Sequence, residues 1–252
     1  MPQPLQPRLR QYLSKRGLPW SPVKRVLLSA LVCLGMMMVF LGSHRLNAAP
    51  DSRQTAIAQP HPMPQSLAQW DEKAAPGDYF DQVRPVPVGA LIWSRLPIKV
   101  YIEPLPPATL LKPEIWQQTM NRAIQDWQPY LPLTLTSDPA MADIQLSANA
   151  PRSKSGARAR SAETRYALYV SDRNILSHRV TISIRPSQTQ TYLAAAARHE
   201  LGHALGIWGH SQDPQDVMYF AQVKSPPPIS ARDVNTLKRL YQQPTQLGWP
   251  VK

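Results

Sequence analysis

The chain has 252 residues, a formal net charge of +12, 28 prolines and a single cysteine. One cysteine excludes a disulfide-stapled fold. The positive charge does not make nucleic acid the expected partner, because about half of it lies in the first 42 residues, where Arg8, Arg10, Lys15, Arg16, Lys24 and Arg25 occur without an acid.

Those cations, in residues 1–25, precede VLLSALVCLGMMMVFLG at 26–42, a run of seventeen residues without a charge. Basic residues before an apolar run mark a signal anchor or a signal peptide, and about 17 apolar residues is the lower limit for a spanning helix. Two outcomes stay open: an uncleaved anchor with the rest of the chain outside, or cleavage near LNAAP at 46–50. Both export the remainder. Cys33 lies inside the run, so the exported part has no disulfide to form.

Residues 43–88 are rich in Pro, Gln and Ala and show no apolar periodicity, so a flexible stalk is expected. One folded domain is expected over 89–252. Ile98, Val100 and Ile102 alternate with Lys99, Tyr101 and Glu103, which reads as a half-buried strand. Pro113 opens a helix whose Trp116, Met120, Ala123, Ile124 and Trp127 share one face, and Pro129 limits it. LPLTLT and ADIQLSA read as short strands, PRSKSGARARSAETR at 151–165 as a basic loop, and YALYV and RVTISI as two further strands. A helix through TYLAAAARHELGHALG follows. Ser230 and Asp233 then open a last amphipathic helix carrying Val234, Leu237, Leu240 and Tyr241, with Asp in place of the usual Glu of a capping box. The pattern is that of a small α+β domain.

The chemistry concentrates in HELGHALGIWGHSQDPQDVMY at 199–219, which holds three of the six histidines. In a helix, residues four apart share a face, so His199 and His203 can point at one ion. Glu200 sits beside the first histidine, placed to handle a water on that ion. Gly206 suits the helix end, after which the chain can turn back with a third ligand. No glutamate follows Glu200, which leaves His210, Asp213, Asp216 and Asp233 as candidates for that ligand. Three neutral histidines at about 2.0–2.1 Å from zinc leave the fourth position for water, the arrangement of catalytic sites.

HELGHALG, a histidine followed by serine, and then VMY resemble the metzincin metallopeptidases, the matrixin branch above all. The family pattern is HExxHxxGxxH with a Met-Tyr methionine turn; here one extra residue, Gly209, separates Gly206 from the third histidine, and the interval from His210 to Met218 returns to the family's register. ADIQL at 142–146 and ISARDVNTLKRLY at 229–241 are also similar to matrixin segments, so the resemblance spans about 96–243. It implies a mixed twisted sheet with two helices, and a small C-terminal subdomain with the Met-turn and a closing helix. It further implies zinc held by His199, His203 and His210, Glu200 as general base, Met218 as apolar floor, and hydrolysis of peptide bonds in a protein or peptide substrate. Tyr219 follows Met218 directly and is expected to be structural. FAQVKSPPPIS is expected to wall the pocket for the side chain after the cleaved bond. His178 is expected at the surface. The silencing cysteine of matrixin propeptides has no counterpart, Cys33 being in the apolar run.

Two other readings compete. A zinc-holding exported protein without catalysis would have no use for a base at Glu200. A polyanion-binding module would use Arg152, Lys154, Arg158, Arg160 and Arg165, although such charge runs are usually solvated loops.

Overall fold

The computed structural model describes residues 56–107, 109–151 and 160–251. The basic start, the apolar run at 26–42 and the stretch 152–159 of the basic loop lie outside the described residues. Among those described, no helix is long and apolar enough to cross a membrane.

Five strands form one sheet: β1 (Ile98–Ile102), β2 (Leu133–Leu135), β3 (Ile144–Ser147), β4 (Ala162–Val170) and β5 (Leu176–Ile184), in the order β2-β1-β3-β5-β4. All neighbours run parallel except β4, which pairs antiparallel with β5 and forms an edge. The alternation of Ile98, Val100 and Ile102 carries through: these three are buried, while Lys99 and Tyr101 between them are half-buried. The 151–165 loop ends earlier than expected. Glu163, Thr164 and Arg165 belong to β4, whose register from Ala162↔Ile184 to Val170↔Leu176 is held by ladder bonds rather than by apolar alternation.

Four α-helices accompany the sheet among the described residues: α1 (Gln65–Gln69), α2 (Pro113–Trp127), α3 (Gln190–Leu205) and α4 (Ala231–Tyr241). The apolar face of α2 buries Trp116, Met120, Ala123, Ile124 and Trp127. Each tryptophan contributes on the order of 150–250 Å² of hidden surface. Trp127 also ties α2 to α3 by donating its indole N–H to the Arg198 carbonyl at 2.9 Å. Helix α3 turns Leu193, Ala197, Leu201, Ala204 and Leu205 into the core. Its opposite side is free to carry chemistry. The Ser230–Asp233 capping box of α4 forms with both bonds present, since Asp233 reaches the Ser230 backbone as a glutamate would.

Residues 56–88 are no stalk where they are described. Leu67 is fully buried in the main core and Tyr79 is buried beside it. The polar residues of the segment dock by hydrogen bonds: Ser66 donates to the Tyr130 carbonyl at 2.6 Å, Trp70 to Asn235 at 2.7 Å, and Asn235 to the Ala75 and Gly77 carbonyls at 2.8 Å each. The segment has too few apolar residues to fold by itself. It orders because an existing surface takes those few and satisfies its backbone groups.

His178 is also corrected. Strand β5 begins at Leu176, so His178 falls in phase with the buried Val180, Ile182 and Ile184 instead of preceding the strand. It is 4% exposed and stacks on Trp93 at 3.9 Å, with its Nε2 unpartnered. Burial pushes its pKa down to about 3.

Candidate metal centre

Helix α3 brings His199 and His203 onto its open face one turn apart, with ring centroids 4.8 Å from each other. The helix stops at Gly206, whose φ of 131° is a conformation that side-chain-bearing residues rarely adopt. A Cβ there would also stand 2.8 Å from the Leu91 carbonyl oxygen. The chain then reverses and returns His210, with centroids 5.2 Å from His199 and 4.9 Å from His203. One ring nitrogen from each of the three lies within 4.8 Å of the others, so the extra residue in the turn does not displace the third histidine.

The donor chemistry fits zinc. His199 Nδ1 lies 2.8 Å from the Val217 carbonyl, and His203 Nδ1 lies 2.6 Å from the Ile207 carbonyl. A carbonyl only accepts, so each Nδ1 carries the proton and each Nε2 presents its lone pair to the shared space, as histidine ligands do. Burial first, then the neighbouring His203, hold the His199 pKa down at about 4; burial does the same for His203. His210, part of whose surface stays exposed in the cleft, is lowered first by the burial of the rest and then by the charge of Arg84. The cluster is therefore neutral and metal-ready at pH 7.

None of the aspartates considered as third ligand joins the cluster. Asp213 caps the Gln215 N–H at 2.9 Å. Asp216 is buried and takes hydrogen bonds from Ser211, from Ser230 at 2.6 Å and from Arg232 at 3.0 Å. Asp233 accepts from the Val217 and Met218 N–H groups at 2.9 and 3.3 Å and from the Tyr79 hydroxyl at 2.5 Å. Both buried aspartates hold the loop that ends in Met218. Within that loop Ser211 N–H donates to the Met218 carbonyl at 2.8 Å, which closes it back on the residue after His210.

Met218 is fully buried and packs on Gly202, in the last turn of α3 between the two histidines. A Cβ at Gly202 would overlap the Met218 sulfur and stand 3.1 Å from Trp127. This explains a glycine that costs the helix about 1 kcal/mol in propensity. Tyr219 is half-buried, lines the cleft and meets the Phe220 ring at a tilt, with centroids 4.6 Å apart.

Glu200 lies on the same cleft and is 8% exposed. Burial raises its pKa, against the effects of His199 and of a hydrogen bond from Thr164 on β4. The Thr164 hydroxyl stands 2.5 Å from Glu200 Oε2. Thr164 falls within the stretch expected as a basic loop, and only the long-range pairing of β4 beside α3 makes it a neighbour of the carboxylate. Trp208, in the turn, stacks on His203 at 5.9 Å and meets Tyr166 edge-on at 5.0 Å. Nothing in GIWGH says which way the indole faces, so packing alone places it beside His203.

The cluster opens into a cleft of 1390 Å³. Phe220, Ala221, Gln222, Val223, Pro226 and Pro227 line it, as expected for a wall built from FAQVKSPPPIS. Arg160 and Arg165 of the basic segment both pair with Glu163, at 3.1 and 2.8 Å. No curated protein matches the chain. The family model described as Matrixin matches residues 92–242, more than half of the chain and the whole of the sheet, the histidine cluster and the closing helix. The chain belongs to the matrixin family of zinc-dependent metallopeptidases.

Proposed function

We propose that the protein is an exported endopeptidase, anchored through residues 26–42, in which His199, His203 and His210 hold the zinc and Glu200 is the general base. Zinc bound there supplies a Lewis acid that acidifies a water and polarises a carbonyl. The chain's own groups do the rest. The Nδ1–carbonyl bonds of His199 and His203 hold their rings in one orientation. The Glu200 carboxylate accepts the water proton and passes it to the departing amine. The carboxylate, hydrogen-bonded by Thr164, has one rotamer favoured over others. Met218 closes the floor beneath the histidines without offering a competing oxygen.

The observation that carries this reading is the convergence of three imidazole nitrogens beside a buried, non-ligating glutamate in an open cleft. Export rests on the basic start followed by the uncharged run. The full-length Glu200→Ala protein should retain zinc at one equivalent while losing about 10²–10⁴-fold in cleavage of an unfolded protein substrate. Equal cleavage by the two forms would remove Glu200 from its role. External protease should release the folded part from membranes; a soluble product starting near Ala49 would show a cleaved signal instead.

A further inference from the structure

The residues just before the matched region build one side of the cleft. Asp78 pairs with Arg239 at 3.1 Å, the Tyr79 hydroxyl bonds to Asp233, and the Tyr79 N–H donates to Thr236 Oγ1 at 3.0 Å. Farther along, Val83 forms an antiparallel bridge with Gly209, and the Arg84 N–H donates to the Trp208 carbonyl at 2.9 Å. The strap ends where Ala90 N–H meets the Pro244 carbonyl at 3.1 Å. Its backbone is thus pinned to α4, to the turn between the second and third histidines, and to the segment after α4.

Gly209 is the additional residue of that turn, and it is the one on which the strap sits. A Cβ at Gly209 would overlap the Gln82 carbonyl and lie 2.8 Å from the Val83 Cα, both of them backbone atoms that a side-chain rotation cannot move. The longer turn and the strap fit each other: the insertion supplies an edge with room for a second backbone.

The strap puts charge on the cleft. Asp81 and Arg84 line it and are exposed. Arg84 makes no ion pair among the described residues, whereas Arg160, the other arginine on the cleft, is paired with Glu163. The backbone N–H of Arg84 is itself bonded to the residue two before His210, at 2.9 Å from the Trp208 carbonyl. Arg84 stands on the cleft as a cation without an ion-pair partner among the described residues, on a backbone fixed by bonds to the turn that leads to His210.

We propose that the strap is a built wall of the substrate cleft and that Arg84 selects for an acidic side chain of the bound peptide, near the scissile bond on the His210 side. The proposal rests on the peptidase reading above. A guanidinium accepts a carboxylate through two parallel N–H bonds. Because Arg84 is exposed, the pairing is screened, and the preference should be about 3–10-fold at low salt and smaller at high salt.

The test uses the full-length zinc-loaded protein with Arg84→Gln and Arg84→Glu variants. A peptide mixture from a denatured protein digest first locates the cleaved bonds by mass spectrometry. One cleaved peptide is then made with Glu, Gln or Lys at each position flanking the bond, and the ratios of kcat/KM are compared within each protein, so that differences in overall activity cancel. One position should favour Glu over Gln in the parent, lose that preference in Arg84→Gln, and favour Lys in Arg84→Glu. An unchanged Glu-to-Lys ratio in Arg84→Glu, or no position in the parent that favours Glu, would overturn the assignment of Arg84 alone. If the parent cleaves no peptide, the peptidase reading falls and takes this proposal with it.

Discussion

The two halves of the metal centre are held by different physics. His199, Glu200 and His203 belong to one helix, so their relative positions follow from its 3.6-residue period and would survive most changes elsewhere. His210 and Met218 lie in irregular backbone, and their positions depend on groups far away in sequence: Asp233 on α4 holds the Val217 and Met218 N–H groups, and Tyr79 of the strap holds Asp233. The helical half is a local structure. The turn half exists only once the rest of the domain is assembled, and its fixed points are buried carboxylates.

The sharpest way to separate the halves is zinc affinity. His203→Ala and His210→Ala should each cost more than the ~10–100-fold that follows from losing an outer partner of a ligand. Equilibrium dialysis against a zinc chelator measures both. The exposed His210 should lose little else, its zinc-free form melting within about 0.5 kcal/mol of the parent. Near-normal zinc in His210→Ala would mean that the turn does not deliver a ligand, and the comparison would collapse.

Asp233→Ala should strike the turn half through stability instead. It leaves the Val217 N–H, the Met218 N–H and the Tyr79 hydroxyl without their acceptor in a buried place, a loss on the order of 3–5 kcal/mol. Denaturant unfolding of the zinc-free protein would show it. A loss under about 1 kcal/mol would mean that the turn stands by itself.

An effect that is absent at neutral pH, and lies outside the centre altogether, comes from His178. Its pKa is lowered by burial from the usual 6.5 to about 3, so between those values the unfolded chain binds a proton that the folded chain does not. Stability from this group is therefore complete above pH 6.5 and declines as pH falls toward 3. His178→Phe, which keeps a ring against Trp93, should flatten the acid side of the stability–pH curve of the zinc-free protein. An unchanged curve would remove His178 from acid sensitivity.

The local half of the centre was legible in advance because helical spacing and a terminal glycine are properties of neighbours in sequence. Trp116, Met120, Ala123, Ile124 and Trp127 declared a buried helix face for the same reason, and the capping box at Ser230 and Asp233 could be read from four residues. His210 was reached through a resemblance, on an interval to Met218 that spacing arguments alone leave open to three aspartates. The structure commits Asp216 and Asp233 to other bonds, which no local pattern could announce.

What the sequence determined by itself was therefore the elements from β1 to α4, though not all their bounds, and the identity of the chemical groups: periodicity, caps and breakers act over a few residues. Only the tertiary structure decided where 56–88 lies, that β4 begins at Ala162 and sets Thr164 against Glu200, that His178 faces the core, and that Gly209 is the seat of a strap. Each of these depends on hydrogen bonds or packing between residues far apart in the chain, and the energy that favours them belongs to the assembled surfaces rather than to either segment alone.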